Sequence, residues 1–197
     1  HTILNNLIYI VCLQAVNLPK QYKSGTLQAY RLLCTSHVCR HDIALSDDQL
    51  ARFYTVLHQG LVSQDQDVVN VLIKHCGTRI FSLPLRGATA LVLDFVQAAN
   101  SITAAPDLKD APRSEAISVL GSLLCFPTHL KQIPTLQPNR KDLVISQCVD
   151  LKDHVVNILL RAGKKEPAGL ARCIAISSLG IYLYEELSHG TQHPKIK

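Results

Sequence analysis

The 197-residue sequence has no methionine and no tryptophan, and only 5% of it is aromatic. Proteins that bind single-stranded nucleic acid stack bases on aromatic rings and gather cations on one face. Here Lys and Arg are scattered, never more than two in a row (Arg140-Lys141, Lys164-Lys165), so a net charge of +5 does not point to nucleic acid. The phosphate-cradling loops G-x-x-x-x-G-K-[ST] and G-x-G-x-x-G are missing, as is G-x-S-x-G, and nucleotide binding by the familiar glycine loops loses its support. No C-x-x-C occurs among the seven cysteines. Their odd number and irregular spacing suit free thiols in a reducing compartment, so a cytoplasmic protein is expected. Asn5, Asn6 and Gln14 at one end and Arg172 at the other break the apolar runs too early for a bilayer span, and membrane insertion is not expected. Residues 7–16 resemble a signal-peptide core but lack the preceding Lys or Arg. The missing methionine, initiator included, suggests residues 1–197 are a single helical-repeat domain cut from a longer chain.

What is present is apolar residue at helical spacing. A hydrophobic share of 47% is enough for a substantial core. Residues 2–15 place Ile3, Leu7, Ile10 and Val11 on one face, and a second helix begins near Leu27 and runs to about His41. Ser46-Asp47-Asp48-Gln49 has the capping-box pattern with two acids in the first turn, followed by Leu50, Phe53, Tyr54, Leu57 and Leu61. Asp65 opens a further helix that Gly77 closes, and residues 88–99 carry Leu91, Val92, Phe95 and Val96. Asp110 is the expected N-cap of a helix bearing Ala116, Ile117, Leu120 and Leu123, which Pro127 ends. Residues 127–140, with three prolines, read as an extended loop; residues 141–148 read as a short helix, and Leu151, Val155, Ile158 and Leu159 as a longer one. Residues 167–190 are apolar almost all round, which predicts a central helix covered on most of its circumference. Its small residues Ala171, Ala175, Ser178 and Gly180 suit close helix approach. No period-two alternation stands out, so a sheet is not expected. Pairs at roughly forty-residue intervals predict an all-α chain, a HEAT/armadillo-like α-solenoid of antiparallel helix pairs.

Chemistry is sparse. Cys34, His37, Cys39 and His41 form the one metal-like cluster, but Cys39 would leave the helical face shared by the other three, and buried cysteine with surface histidine is the preferred reading. No cofactor is expected. Arg172 is the only charge between Pro167 and Tyr184; pairing with Asp150 or Asp153, or extension to solvent, is favoured over a partner contact. If partners bind, the candidate contacts are Arg140, Lys141, Lys164, Lys165 and Arg172, on or beside loops of a rigid scaffold.

Three stretches carry a family resemblance: Val68-Val69-Asn70 with Lys74-His75-Cys76, GSLLCFP at 121–127, and KKEPAGLARCIAISSLGIYLYEELSHGTQHPKIK at 164–197. They resemble the helical region upstream of the catalytic domain in the alpha subunits of the Ral GTPase-activating proteins, a tuberin-related family. The resemblance runs from about Ala29 to Lys197 and implies a cytosolic complex in which an alpha subunit pairs with a beta subunit to promote GTP hydrolysis by Ral. The family's catalytic asparagine belongs to a C-terminal domain, so no such role passes to Asn70 or Asn157 and this segment is not expected to be an enzyme. The implied role is a scaffold that docks the beta subunit or a regulatory Ras-like small GTPase of the kappaB-Ras type. Two alternatives remain: a HEAT-like adaptor of an unrelated complex, and an enzyme with an unrecognised Cys/His site.

Overall fold

A computed structural model describes residues 2–41, 44–105, 110–124, 132–136 and 143–189. The chain is predominantly helical. Among the described residues the helices are α1 (Thr2–Ala15), α2 (Lys23–His37), α3 (Asp47–Leu61), α4 (Gln66–Cys76), the single turn α5 (Arg79–Ser82), α6 (Val92–Ala104), α7 (Arg113–Leu123), α8 (Cys148–Lys165) and α9 (Gly169–His189). Short 3-10 turns at Lys20–Tyr22 and Ala88–Leu91 lead into α2 and α6.

Local chemistry explains most of the boundaries. Ser46 Oγ accepts from the Gln49 amide at 3.3 Å while Gln49 Oε1 accepts from the Ser46 amide at 3.1 Å, completing the expected capping box. Asp65 caps α4 by accepting from the Asp67 amide at 3.0 Å. Gly77 follows α4 at φ 51°, a backbone region that side chains strain to enter. Asp110 does not cap α7: it takes φ 60°, and the helix starts three residues later behind Pro112. Pro167 likewise stands in the turn ahead of α9, which begins at Gly169, and the expected stop at Gly190 lies outside the described residues.

The expectation of no sheet is overturned. Gln132–Leu136 (β1) and Leu143–Gln147 (β2) pair antiparallel, Gln132 opposite Gln147 and Leu136 opposite Leu143. The short helix expected at 141–148 is therefore a strand where it is described, because the β-branched Val144 and Ile145 favour extended backbone once a partner strand is at hand. β1 rests on α6 and on the 3-10 turn before it, and β2 rests on α8.

The helices contact one another in a regular order. Successive helices pair as α3 with α4, α6 with α7 and α8 with α9. One row of neighbours runs α1, α2, α4, α7, α9, and a second runs α3, α6, α8. Phe53, Leu57, Leu72, Ile73, Phe95 and Leu120 are fully buried between them, each contributing roughly 1.5–3 kcal/mol of burial. Tyr9 and His37 lie at one end of this core, with the His37 ring stacked on Phe53 at 4.6 Å. The inward side of α1 is thus Tyr9 and Cys12, whereas Leu7, Ile10 and Val11, expected on the buried face, are exposed.

A buried ion pair ties the second half together. Arg113 Nε donates to Glu166 Oε1 at 2.6 Å, and Arg113 Nη1 donates to the carbonyls of Ile102 at 2.8 Å and Ala105 at 3.0 Å. Glu166 Oε1 also accepts from the Ala168 amide at 3.3 Å. One guanidinium therefore joins the end of α6, the start of α7 and the α8–α9 turn. Removing one partner strands the other charge in the interior. Arg113→Ala is expected to cost about 3–5 kcal/mol in urea denaturation; a loss below roughly 1 kcal/mol would mean that water replaces the guanidinium.

Burial pushes the His37 imidazole pKa below its usual 6.5. The unfolded chain then holds more protons than the folded one just below pH 6.5, so this contribution is complete above 6.5 and is lost as pH falls through the folded value. His75 is shifted the same way, chiefly by burial. Thermal melts should show stability declining on acidification from neutral pH, with a shallower decline in His37→Phe; an identical slope in both proteins rejects this account.

Candidate functional site

The helix expected at the centre lies at the edge. α9 packs against α7 and α8 through one narrow side on which Ala171 and Ala175 are fully buried. Gly121 of α7 meets this seam so closely that an added Cβ would run into Ser178 Oγ. Ala171, Ala175 and Ser178 thus admit the neighbour, as their size suggested, whereas Gly180 faces open space. The large apolar residues point the other way: Leu170, Tyr184 and Leu187 are 69%, 70% and 72% exposed, and Ile176, Ile181 and Leu183 are exposed as well. At 1.5 Å per residue the exposed apolar residues from Leu170 to Leu187 span about 26 Å along the helix. The near-continuous hydrophobicity predicts cover over most of the circumference; among the described residues the contacts with α7 and α8 cover one side.

The flank of α9 beside α8 is polar and fixed. Lys152 Nζ lies 3.1 Å from Glu186 Oε1 and 5.7 Å from the centre of the Tyr182 ring. Burial works against this ammonium, but Glu186 and the ring outweigh it and hold its pKa above the usual lysine value.

Of the expected contact residues, Arg140 and Lys141 lie outside the described residues. Lys164 and Lys165 are exposed in the last turn of α8, where the carbonyl end of the helix favours cations. Arg172 is exposed in the first turn of α9, beyond the 166–168 connection, and makes no ion pair among the described residues. Lys164, Lys165 and Arg172 therefore lie at the same end of the α8–α9 pair, around the turn that joins the two helices.

The cysteine and histidine geometry speaks against nucleophilic chemistry. Cys34 and Cys76 are buried with their sulfurs 3.3 Å apart, and the hydrogen bond to Cys34 together with burial holds the Cys76 thiol well above the ordinary cysteine pKa. Cys39 Sγ is 3.6 Å from His41 Nε2, but that nitrogen donates to the His37 carbonyl at 3.1 Å and so carries a proton, leaving it unable to act as a base for Cys39. Cys39 itself donates to the Ser36 carbonyl at 3.3 Å. Cys34, His37, Cys39 and His41 are thereby spread over three environments, and no metal-holding group of His, Cys, Asp or Glu occurs among the described residues.

His58 and Asp94 form a further pair that the sequence did not announce. His58 Nδ1 lies 2.8 Å from Asp94 Oδ2, and the fully buried Asp94 leaves Oδ1 without a partner among the described residues. Burial raises the Asp94 pKa against the lowering effect of His58. Thirty-six residues separate the two, and only the packing of α3 on α6 brings them together.

Maleimide labelling of the folded chain, read peptide by peptide in a mass spectrometer, should modify the exposed Cys173 first and Cys39 next, leaving Cys12, Cys34 and Cys76 intact until the chain unfolds. Rapid native labelling of Cys76 would instead reveal a reactive thiol and restore the Cys/His enzyme alternative.

No family model matches the chain, and no solved structure does. It is 45% identical over 184 residues to the human (Homo sapiens) Ral GTPase-activating protein subunit alpha-1, covering 93% of this chain and 9% of that protein. It is 47% identical over 186 residues to the mouse (Mus musculus) subunit alpha-2, covering 93% of this chain and 10% of that protein. A Drosophila melanogaster protein named as a probable Rho GTPase-activating protein, CG5521, is 40% identical over 179 residues, covering 90% of this chain and 9% of its own length. The chain thus spans about a tenth of the length of these curated relatives, and its similarity to one segment of the Ral GTPase-activating protein alpha subunits is sustained over nearly all its residues.

Proposed function

We propose that this chain is a non-catalytic helical scaffold of a Ral GTPase-activating protein complex, docking a partner subunit or a regulatory Ras-like small GTPase of the kappaB-Ras type. The exposed apolar face of α9 carries this reading. Isolated apolar residues are ordinary on a surface, but a continuous face of this length is the mark of a contact with protein. The two rows of helix contacts support a HEAT/armadillo-like solenoid of antiparallel pairs, in which each layer buries the next. Lys164, Lys165 and Arg172 would border the contact with charge, in keeping with a polar rim around an apolar centre.

GTP hydrolysis by Ral would be accelerated by a part of the relatives' length that this chain does not match. Within the chain, Cys39 lacks a free base and Cys76 is a buried thiol, so the GTPase partner would be held here and acted on elsewhere. A soluble cytoplasmic complex suits the reading: among the described residues no helix is long and apolar enough to cross a membrane.

The test is calorimetric binding of the 197-residue chain to the beta subunit and to Ral and kappaB-Ras-type GTPases, each GTPase loaded with GDP or a GTP analogue. One of them is expected to bind, and Ile176→Glu with Tyr184→Glu to weaken it at least roughly tenfold, because both side chains are already exposed and their loss costs the fold little. Measurable acceleration of GTP hydrolysis by the chain alone would refute a non-catalytic role. Absence of binding to every partner would leave architecture as its sole function.

A further inference from the structure

A second feature stands apart from the α9 face. The start of α7 and the end of α4 enclose a cleft of about 410 Å³, whose lining includes Thr35 from α2 and the segment from Lys74 to Arg79. Its volume falls within the range of ligand-binding clefts. Lys74 and Arg79 make no ion pair among the described residues, and neither does Arg31, one turn before Thr35 on α2. Lys23, Arg52, Arg86 and Lys152 rest on carboxylates, whereas Lys74 and Arg79 share with Lys164, Lys165 and Arg172 the lack of such a partner among the described residues.

The Thr78, Ser114 and Ser118 hydroxyls line the cleft and make no hydrogen bond among the described residues, while that of Thr35, also in the lining, donates to the Arg31 and Leu32 carbonyls. His75 adds a ring nitrogen, and the cations Arg31 and Lys74 act on it in addition to its burial to disfavour protonation. Gly77 opens the floor, since a Cβ there would have nothing within 4 Å. The single acid is Glu115.

A cleft with uncommitted cations and hydroxyl donors matches a group with several acceptor oxygens and more than one negative charge. A carboxylate has two oxygens and one charge, while a phosphomonoester offers three oxygens and up to two charges. We propose that this cleft binds a phosphoserine- or phosphothreonine-bearing peptide segment, with Lys74 and Arg79 pairing the phosphate and the Thr78, Ser114 and Ser118 hydroxyls donating to it. The cleft is larger than a phosphate requires, leaving space for flanking peptide, and Glu115 disfavours a small anion held by charge alone. This assignment does not depend on the scaffold reading, because a phosphopeptide could dock here whichever protein covers α9.

The experiment is an NMR titration of the 197-residue chain that follows the His75 imidazole and the backbone amides of α4 and α7. Four probes are compared: the peptide Gly-Gly-phosphoserine-Gly-Gly, its unphosphorylated form, its glutamate analogue and inorganic phosphate. The phosphopeptide should perturb His75 and bind at least roughly tenfold more tightly than the serine or glutamate peptide. Lys74→Ala with Arg79→Ala should weaken it at least tenfold, and Glu115→Gln should tighten it roughly threefold. Circular dichroism confirms that both variants are folded, as expected for exposed or half-buried positions. No perturbation at His75, or affinity indifferent to the double substitution, overturns the proposal. Inorganic phosphate binding as tightly as the phosphopeptide overturns the peptide assignment and leaves a small-anion site.

Discussion

The second half of the molecule depends on one guanidinium. Arg113 opens α7, yet its side chain reaches back to the carbonyls of Ile102 and Ala105 and forward across the fold to Glu166. A helix end buried without partners would leave its last carbonyls unsatisfied, and here a single side chain serves two at the end of α6. Glu166 in turn fixes the tight connection from α8 to α9 through the Ala168 amide. The arrangement is stable only as a whole, because either charge alone in the interior costs more than the pair contributes. Nη2 finds no partner among the described residues, a cost that the three bonds of Nε and Nη1 offset.

With that turn fixed, the seam between α7 and α9 follows. The close meeting of Gly121 with Ser178 requires small groups on both helices, and Ala171 and Ala175 continue the same side. Using small residues for the internal contact leaves the large apolar ones for the outside. Leu170, Ile176, Ile181, Tyr184 and Leu187 therefore stand free because of where the seam lies, and the same geometry that stabilises the helix pair creates the face through which the scaffold is proposed to act.

The α9 face and the α4–α7 cleft differ in kind. The first is apolar, long and open, suited to burying another protein surface; the second is smaller and lined by Lys74, Arg79 and the Thr78, Ser114 and Ser118 hydroxyls. Both draw on α7, which supports α9 along one side and supplies Ser114, Glu115 and Ser118 to the cleft at its start. Cys76 lines the cleft, but its thiol donates to Cys34, so that the two join α2 to α4 as a packed pair, and Cys39 is bonded to its own loop.

Helical class, most helix positions and two caps were legible in the sequence, since they arise from neighbours within a turn. Ser46 with Gln49 and Asp65 before α4 are local devices, and their chemistry works the same in any fold. The strand at Leu143–Gln147 was not legible, because an isolated Val-Ile run becomes a strand only when a partner supplies hydrogen bonds. The buried sides of α1 and α9 were hidden for a related reason: a helix apolar nearly all round carries no mark of which side its neighbours cover. Arg113 with Glu166, His58 with Asp94, and the cations around His75 are separated in sequence and meet only through packing. The sequence by itself determined where the chain is helical and how several helices begin, because those choices rest on short-range hydrogen bonds and spacing. Only the tertiary structure decided which apolar side is left exposed and which charges meet, because both are set by contacts between segments far apart along the chain.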